Sequence, residues 1–204
     1  MNTATVGAKT GTATIALTSD GTGTSGLGTT TLTSQTVNIQ GQVNFLASAK
    51  FVPVSGSGTL SQNNATTFTI DFGQVTQNTG TRNASLGAQN LQQDPTFQDT
   101  LGGTFSASTV PNFTLSGFSP FSSIASGSSL AIGVGFNTAM ATGIYSDFVL
   151  LNPTSTNANG TTGVTSIRLN FIGEIIPVPE AASISLLTLG GGLMLGRRRR
   201  KLSA

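Results

Sequence analysis

Short runs in which every second residue is apolar recur along this sequence, with glycine, asparagine and other polar residues between them. The clearest are Thr66–Val75, Ser128–Phe136 and the two halves of Gly103–Phe118, which meet at Pro111. Alternation of this kind is typical of strands with one buried face. Together with two runs near the C-terminal end, they make about six or seven strands at roughly 8–12-residue spacing. The sequence therefore predicts an all-β fold, with a β-sandwich over residues 52–176.

The composition is unlike that of a cytosolic enzyme. Charged residues make up 8% of the chain, whereas about 25% is usual in soluble proteins. The chain also contains neither cysteine nor histidine. Disulfides, thiolate metal sites and the usual catalytic triads are therefore excluded.

The net charge of +2 is unevenly distributed along the chain. Residues 1–179 contain four basic and six acidic side chains, which gives a net charge of −2. Residues 180–204 contain five basic and one acidic side chain, which gives +4. The body thus has no excess of basic residues with which to attract a polyanion, and nucleic-acid binding is not expected.

Two segments far apart in the chain share one pattern. Thr36–Val43 (TVNIQGQV) and Arg168–Ile175 (RLNFIGEI) both alternate apolar residues around a shared asparagine and a shared glycine. The glycines, Gly41 and Gly173, fall at equivalent positions. Glycine inside a strand indicates a bulge or a close approach to a neighbouring strand.

The similarity extends upstream of both segments. Thr10–Thr30 and Thr142–Thr162 each open a strand with Thr-Gly and continue into a long polar loop. Two units rich in glycine and threonine can look alike through composition alone, but the shared asparagine and glycine register favours a duplication. Residues 1–51 are accordingly interpreted as the C-terminal half of another module. We therefore expect the natural protein to be longer at its N-terminus, where this sequence has no signal peptide.

The C-terminal end has three parts in a fixed order. A short motif is followed by an uncharged apolar run and then by a basic cluster. The motif is Val178, Pro179, Glu180 and Ala181. The run, Ala181–Gly196, includes Leu186, Leu187, Leu189, Leu193 and Leu195, and ends at Gly196. The basic cluster is Arg197, Arg198, Arg199, Arg200 and Lys201.

This order predicts a membrane helix. Sixteen helical residues span about 24 Å, which is less than the roughly 30 Å hydrocarbon core, so bilayer thinning or snorkelling of the flanking arginines must supply the rest. A basic cluster next to an apolar helix stays on the cytoplasmic side. The body of the chain would then lie on the extracytoplasmic side of the membrane. The alternative is a buried helix followed by a solvated run of charge. Buried helices seldom end in such a basic cluster, which counts against this alternative.

The body of the chain and its C-terminal end each resemble a known family. The runs FTIDFGQV, LGGTF, LAIGVGF, TAMATGIYSDFVLL and RLNFIGEI resemble the Ig-like choice-of-anchor D modules of bacterial surface proteins. The C-terminal end resembles the PEP-CTERM sorting signal, also known as the ice-binding protein C-terminal domain. Pro179 and Glu180 match the first two positions of its motif, whereas Ala181 stands in place of the usual second proline.

The resemblance implies a sorting pathway. An exosortase-type transpeptidase would cut near Pro179 and Glu180, and the body would be released or passed to an extracellular polysaccharide. The precursor would be anchored in the inner membrane with its body on the extracytoplasmic side, and the mature form would be at the cell surface or extracellular. The implied domain order is a partial Ig-like module (1–51), a choice-of-anchor D sandwich (52–176) and a sorting tail (177–204).

Residues able to support catalysis are few and scattered. Asp94 and Asp99 lie in a segment interpreted as a loop, and both are expected to be solvated turn residues. Asp71 and Asp147 are expected at exposed strand positions. The carboxylates form no calcium-binding pattern, and no glycine-rich phosphate loop occurs. We expect no catalytic, cofactor or metal site.

Three classes of function remain. The favoured one is a non-enzymatic structural or adhesive surface protein. The second is a module that binds carbohydrate or ice, although the absence of tryptophan and the single tyrosine, Tyr145, count against sugar stacking. The segment GTTTLTSQT is too short and irregular to predict the flat threonine array that ice binding needs. An enzyme is the least favoured class.

Overall fold

The computed structural model describes residues 2–107 and 112–178, which form strands and loops. Thirteen strands are assigned in these residues, numbered in chain order: β1 Gly7–Asp20, β2 Thr29–Val43, β3 Ala49–Gly56, β4 Thr59–Asn64, β5 Thr67–Thr76, β6 Arg82–Asn90, β7 Thr100–Ala107, β8 Phe113–Ser116, β9 Phe121–Ile124, β10 Ser129–Phe136, β11 Gly143–Asn157, β12 Gly160–Gly163 and β13 Ile167–Ile176.

Eleven of these strands build a sandwich of two sheets. One sheet has four strands in the order β3-β6-β10-β8. The other has seven strands in the order β4-β5-β13-β11-β7-β9, with β12 paired to β11. All pairings are antiparallel except that of β13 with β5, which is parallel. The predicted all-β sandwich is confirmed in the described residues.

The core lies between the inner faces of the two sheets. On β13 every second residue is buried, and Leu169 and Phe171 are both 0% exposed. Phe136 of β10 and Phe113 of β8 face them from the four-stranded sheet, with ring centroids 5.1 Å apart. Phe113 also lies 5.5 Å from Phe171 across the two sheets. Aromatic pairs at such distances fill a sandwich core efficiently.

Gly173 of β13 is required by this packing. A Cβ atom placed on Gly173 would lie 2.6 Å from Cε1 of Phe136. The register between β13 and β5 also shifts next to this position, between Ile172 and Glu174. The register shift confirms the bulge expected at this glycine, whereas the close approach is to the ring of Phe136 in the opposite sheet and not to a neighbouring strand. At the equivalent Gly41, the pairing with Lys9 continues without a register shift.

The strands β1 and β2 form a separate two-stranded sheet, here called the ribbon. They pair antiparallel from Gly7 opposite Val43 to Asp20 opposite Thr29, with a bulge between Ile15 and Leu17. Almost every residue of the ribbon is exposed. Its interpretation as half of a further module stays a prediction.

The predicted strands at Thr66–Val75 and Ser128–Phe136 correspond to β5 and β10, and the two halves of Gly103–Phe118 to β7 and β8. Sequence reasoning missed β3, β4, β6, β9 and β12. The boundary placed between residues 51 and 52 falls inside β3, where Phe51 is buried in the sandwich core.

Candidate functional site

The predicted sorting motif begins where the sandwich ends. The last strand, β13, ends at Ile176, and Val178 is 53% exposed. The rest of the motif, the predicted membrane helix and the basic cluster, residues 179–201, lie outside the described residues. In residues 2–107 and 112–178, no helix has the length and apolarity that crossing a bilayer requires.

A buried polar cluster joins the ribbon to the sandwich. Its centre is Asp99, which precedes β7 and is 3% exposed. Asn44, just after β2, donates from Nδ2 to Oδ1 of Asp99 at 2.9 Å. Ser155 of β11 donates from Oγ to Oδ2 at 2.8 Å, and Asn157 donates from Nδ2 to both carboxylate oxygens at 3.1 and 3.0 Å.

The expectation that Asp99 is a solvated turn residue is therefore wrong. Asp99 does lie at the end of a loop, but this end of the loop is hydrogen-bonded to the segment that follows β2. The amide of Phe45 donates to the carbonyl of Phe97 at 2.8 Å, and the amide of Asp99 donates to the carbonyl of Phe45 at 3.0 Å. Asp94 fits the expectation better, because its Oδ1 accepts from the amides of Thr96 and Phe97 in a local turn, both at 2.8 Å.

Asn90 is a second member of this cluster and is 0% exposed. Its Nδ2 donates to the carbonyls of Asp99 and Ile124 at 3.0 and 3.1 Å. Its Oδ1 accepts from the amide of Ser48 at 3.1 Å and from Nε2 of Gln98 at 3.0 Å. One side chain thus uses its full capacity of two donated and two accepted hydrogen bonds.

The chemistry of this cluster is structural. Amide and hydroxyl groups supply the side-chain hydrogen bonds to Asp99, and burial of a carboxylate is tolerated only with such compensation. In the described ranges, no group of three or more His, Cys, Asp or Glu side chains could hold a metal ion. The cluster fixes the ribbon to one end of the sandwich. Sequence reasoning missed Asn90 and Ser155, since neither belongs to a recognisable motif.

The ribbon has one apolar and one polar face. By strand alternation and cross-strand register, the apolar ribbon face carries Ala13, Ile15, Leu17, Leu32, Val37, Ile39 and Val43. The same face also carries two polar side chains, Lys9 near the base and Gln35 opposite Ile15. The polar ribbon face carries Thr10, Thr12, Thr14, Thr36, Asn38 and Gln40. Four large side chains of the apolar ribbon face are 44–48% exposed: Ile15, Leu32, Val37 and Ile39.

The tip of the ribbon contains Asp20. The hydroxyl and the amide of Thr22 donate to Oδ1 of Asp20 at 2.6 and 3.0 Å. These hydrogen bonds, the hydroxyl first, hold the pKa of Asp20 below its ordinary value of 3.8.

The outer face of the seven-stranded sheet carries a shallow depression of about 620 Å³. In it, the guanidinium carbon of Arg168 lies 3.8 Å from the ring centroid of Phe148. Nε of Arg168 donates to Oδ1 of Asn170 at 2.7 Å. Asp147 lines the same depression and is half-buried, so its expected exposure is wrong, whereas Asp71 is exposed as expected. The depression combines an aromatic ring with hydrogen-bonding side chains.

The sequence matches no family model and no curated protein. Among solved structures, it is similar to WR4, an MSP family member of C. elegans, at 8% identity and a TM-score of 0.35, over 49% of this chain and 91% of that one. It is similar to the ASH/PapD-like domain 7 of human CEP192 at 11% identity and a TM-score of 0.35, over 66% and 89%. It is also similar to a mutant of CfaE, the CFA/I adhesin of enterotoxigenic E. coli, at 10% identity and a TM-score of 0.35, over 73% and 55%.

Proposed function

We propose that this chain is an exported, non-enzymatic surface protein that acts as a structural or adhesive part of the extracellular matrix. Its sandwich is an Ig-like module of choice-of-anchor D type, carried on a PEP-CTERM-like sorting tail. The precursor is held in the inner membrane by residues 181–196, and an exosortase-type transpeptidase processes it. The observation that carries the proposal is the motif, apolar run and basic cluster that directly follow the last core strand.

The position of the motif supports processing without loss of the sandwich. Ile175, the last buried residue of β13, is 1% exposed and lies three residues before Val178. Every core residue of the described chain therefore precedes the motif. Cleavage near Pro179 and Glu180 would leave all of these residues in the released body.

The charge distribution supports the proposed orientation. The basic residues Arg197–Lys201 follow the apolar run directly, and this arrangement keeps that end in the cytoplasm. The body, with a net charge of −2, carries no basic cluster that would oppose export. The sandwich then faces the outside, where its exposed sheets can contact matrix polymers.

The intact mass of the surface form tests this proposal. The full chain, with its native upstream reading frame, is expressed in a host that has the sorting enzyme. We expect a product that lacks the residues beyond about Pro179, with or without an added glycan. A matched variant, Glu180→Gln, keeps the length and apolarity of the tail but removes the acidic residue of the motif. We expect this variant to accumulate as an uncleaved membrane form.

Three results would contradict the proposal. A full-length wild-type product that stays in the membrane would make the tail a permanent anchor. A full-length product in the cytosol would refute the surface assignment. Equal processing of Glu180→Gln and of wild type would show that cleavage does not read the motif.

Carbohydrate binding is a second candidate function, and the depression at Phe148 and Arg168 favours it over ice binding. The guanidinium of Arg168 covers one face of the Phe148 ring, and with the amide of Asn170 it offers planar hydrogen bonding to a sugar. A pull-down on matrix polysaccharides tests this candidate, with Arg168→Ala as the variant and Arg82→Ala, on the other sheet, as the control. Retention that is lost only with Arg168→Ala would favour binding as the principal role.

A further inference from the structure

We propose that Asn159 is a site of spontaneous covalent modification, at which deamidation in the folded protein produces aspartate and isoaspartate and unpairs the hairpin between β11 and β12. The inference goes beyond the proposed surface function and does not depend on it. The reaction needs no enzyme or cofactor, because the reacting groups are the side chain of Asn159, the backbone nitrogen of Gly160 and water.

Asn159 is the one asparagine of the chain that is followed by glycine. Asparagine is among the chemically labile residues of proteins, and its side-chain amide can react with the backbone nitrogen of the next residue. Glycine has no Cβ atom to hinder the approach of that nitrogen. Every other asparagine precedes a residue with a side chain. The sequence therefore makes Asn159 the most reactive asparagine of the chain.

The reaction has two balanced steps. In the first, the nitrogen of Gly160 forms a bond to Cγ of Asn159, the bond between Cγ and Nδ2 breaks, and ammonia leaves with the proton of the Gly160 amide. The product is a five-membered cyclic imide. In the second step, water adds to one of the two imide carbonyl carbons, and the bond from that carbon to nitrogen breaks. Addition at Cγ gives aspartate, and addition at the main-chain carbonyl carbon gives isoaspartate.

The structure leaves the two reacting groups accessible. Asn159 and Gly160 are both exposed, in the turn that ends where Asn157 pairs with Gly160. Within residues 2–107 and 112–178, the side chain of Asn159 makes no hydrogen bond. Oδ1 of Asn64, by contrast, accepts from the amide and the hydroxyl of Thr66 at 2.9 and 3.2 Å. A Cβ atom placed on Gly160 would meet nothing within 4 Å, so no neighbouring atom obstructs the reaction.

The hairpin is also able to open without the rest of the sandwich. The strand β12 has four residues, all of them exposed. Among the described residues, it pairs with the end of β11 alone. Short, solvent-exposed segments of this kind open locally at a low cost in free energy. Each opening releases the main chain of Asn159 and Gly160 from the fixed geometry of the turn.

Isoaspartate at residue 159 does not fit the hairpin. It adds one atom to the main chain inside the two-residue turn, and the pairing of Asn157 with Gly160 depends on the length of that turn. The amide of Asn159 also donates to Oδ1 of Asn157 at 2.8 Å, while Nδ2 of Asn157 donates to Asp99 at 3.1 and 3.0 Å. Both products place a new negative charge near this contact. Deamidation therefore acts on the edge of the buried cluster as well as on β12.

Timed incubation of the folded 204-residue chain tests the reaction. The protein is held in non-ionic detergent, in a mildly alkaline and in a mildly acidic buffer, and peptide mapping by tandem mass spectrometry measures conversion at each asparagine. We expect conversion at Asn159 to be at least about tenfold faster than at Asn64, which is exposed but followed by Ala65. We expect it to be faster in the alkaline buffer, where the Gly160 nitrogen loses its proton more readily.

Asn159→Gln is the matched variant. It keeps the side-chain amide but lengthens the side chain by one methylene, so that ring closure becomes unfavourable, and we expect no conversion at residue 159. Hydrogen exchange measured by mass spectrometry then compares fresh with aged protein. In wild type, we expect ageing to accelerate exchange in β12 and to leave exchange in β5 unchanged. In Asn159→Gln, we expect no effect of ageing in either strand.

Three outcomes would each overturn the proposal. Conversion at Asn159 no faster than at Asn64 would show that the glycine and the open turn give no advantage. Conversion that appears only after unfolding in urea would show that the native hairpin keeps the Gly160 nitrogen away from Cγ. Unchanged exchange in β12 of the converted protein would show that the hairpin accommodates the products.

Discussion

The ribbon and the strand pair β11–β13 are built from similar sequences but lie in opposite environments. In β13 the alternating apolar residues meet the aromatic side chains of β8 and β10 and are excluded from water. In β2 the matching residues are about half exposed. The alternation creates an apolar face in both places, and only the presence of a second sheet makes that face a core. The comparison separates the local requirement for a strand from the non-local requirement for burial.

The largest difference is expected from truncating matched residues of the two strands. Phe171→Ala removes a fully buried ring between two sheets, and we expect it to lower the free energy of unfolding by about 3–5 kcal/mol. Ile39→Ala removes a side chain that is 44% exposed, and we expect a loss below about 1 kcal/mol. Urea denaturation followed by far-UV circular dichroism measures both, at a protein concentration low enough to limit association.

Phe171→Leu serves as a milder variant in case Phe171→Ala does not fold. Similar losses for Ile39→Ala and Phe171→Ala would mean that the ribbon face is covered in solution to the same extent as the sandwich core, and the contrast between the two regions would disappear.

A smaller difference in the free energy of unfolding is expected between substitutions of a buried and of an exposed carboxylate. Asp99→Asn replaces an acceptor of several hydrogen bonds by a group whose NH₂ would face the donors Asn44, Ser155 and Asn157. We expect a loss of about 1–3 kcal/mol in the free energy of unfolding. Asp71→Asn changes an exposed carboxylate of β5 in the same way, and we expect a change within about 0.5 kcal/mol. Urea denaturation measures both losses, and equal effects of the two substitutions would refute the structural role of the buried cluster.

The fold was predictable from sequence where bulky residues alternate. The strands β5, β10 and β13 carry phenylalanine, isoleucine, leucine and valine at every second position, and the all-β sandwich follows from them. The strand β6 was missed because its buried positions are mostly small, with Ala84, Leu86, Ala88 and Asn90 facing inward. Such a strand has no strong periodic signal of its own, since its large neighbours come from other strands.

The candidate site likewise has one part that could be predicted from the sequence and one part that could not. The order of motif, apolar run and basic cluster is local, so it can be read directly along the chain. The burial of Asp99 depends on Asn44 and Ser155, which are 55 and 56 residues away. No local pattern distinguishes this aspartate from Asp94 in the same loop.

A third test compares glycines of the two regions. We expect Gly173→Ala to cost about 1–3 kcal/mol, because the new Cβ would meet the ring of Phe136 in a packed core. Gly11→Ala, on the ribbon, meets nothing within 4 Å, and we expect a change within about 0.5 kcal/mol. Thermal unfolding of the two variants measures the difference. A tolerated alanine at Gly173 would mean that Phe136 can move away without loss of packing.

The smallest effect is expected at the ribbon tip and depends on pH. The pKa of Asp20 is lowered in the folded chain by its hydrogen bonds from Thr22, so the ionised form stabilises the turn. This contribution is complete above the ordinary value of 3.8 and is lost as the pH falls through the lowered pKa. The amide of Thr22 should therefore shift in NMR spectra in this acidic range. Asp20→Asn should abolish the titration, and Thr22→Val should raise the pKa toward its ordinary value, because the hydroxyl is the larger of the two causes. A pH-dependent shift of the Thr22 amide that persisted in Asp20→Asn would show that a group other than Asp20 causes it.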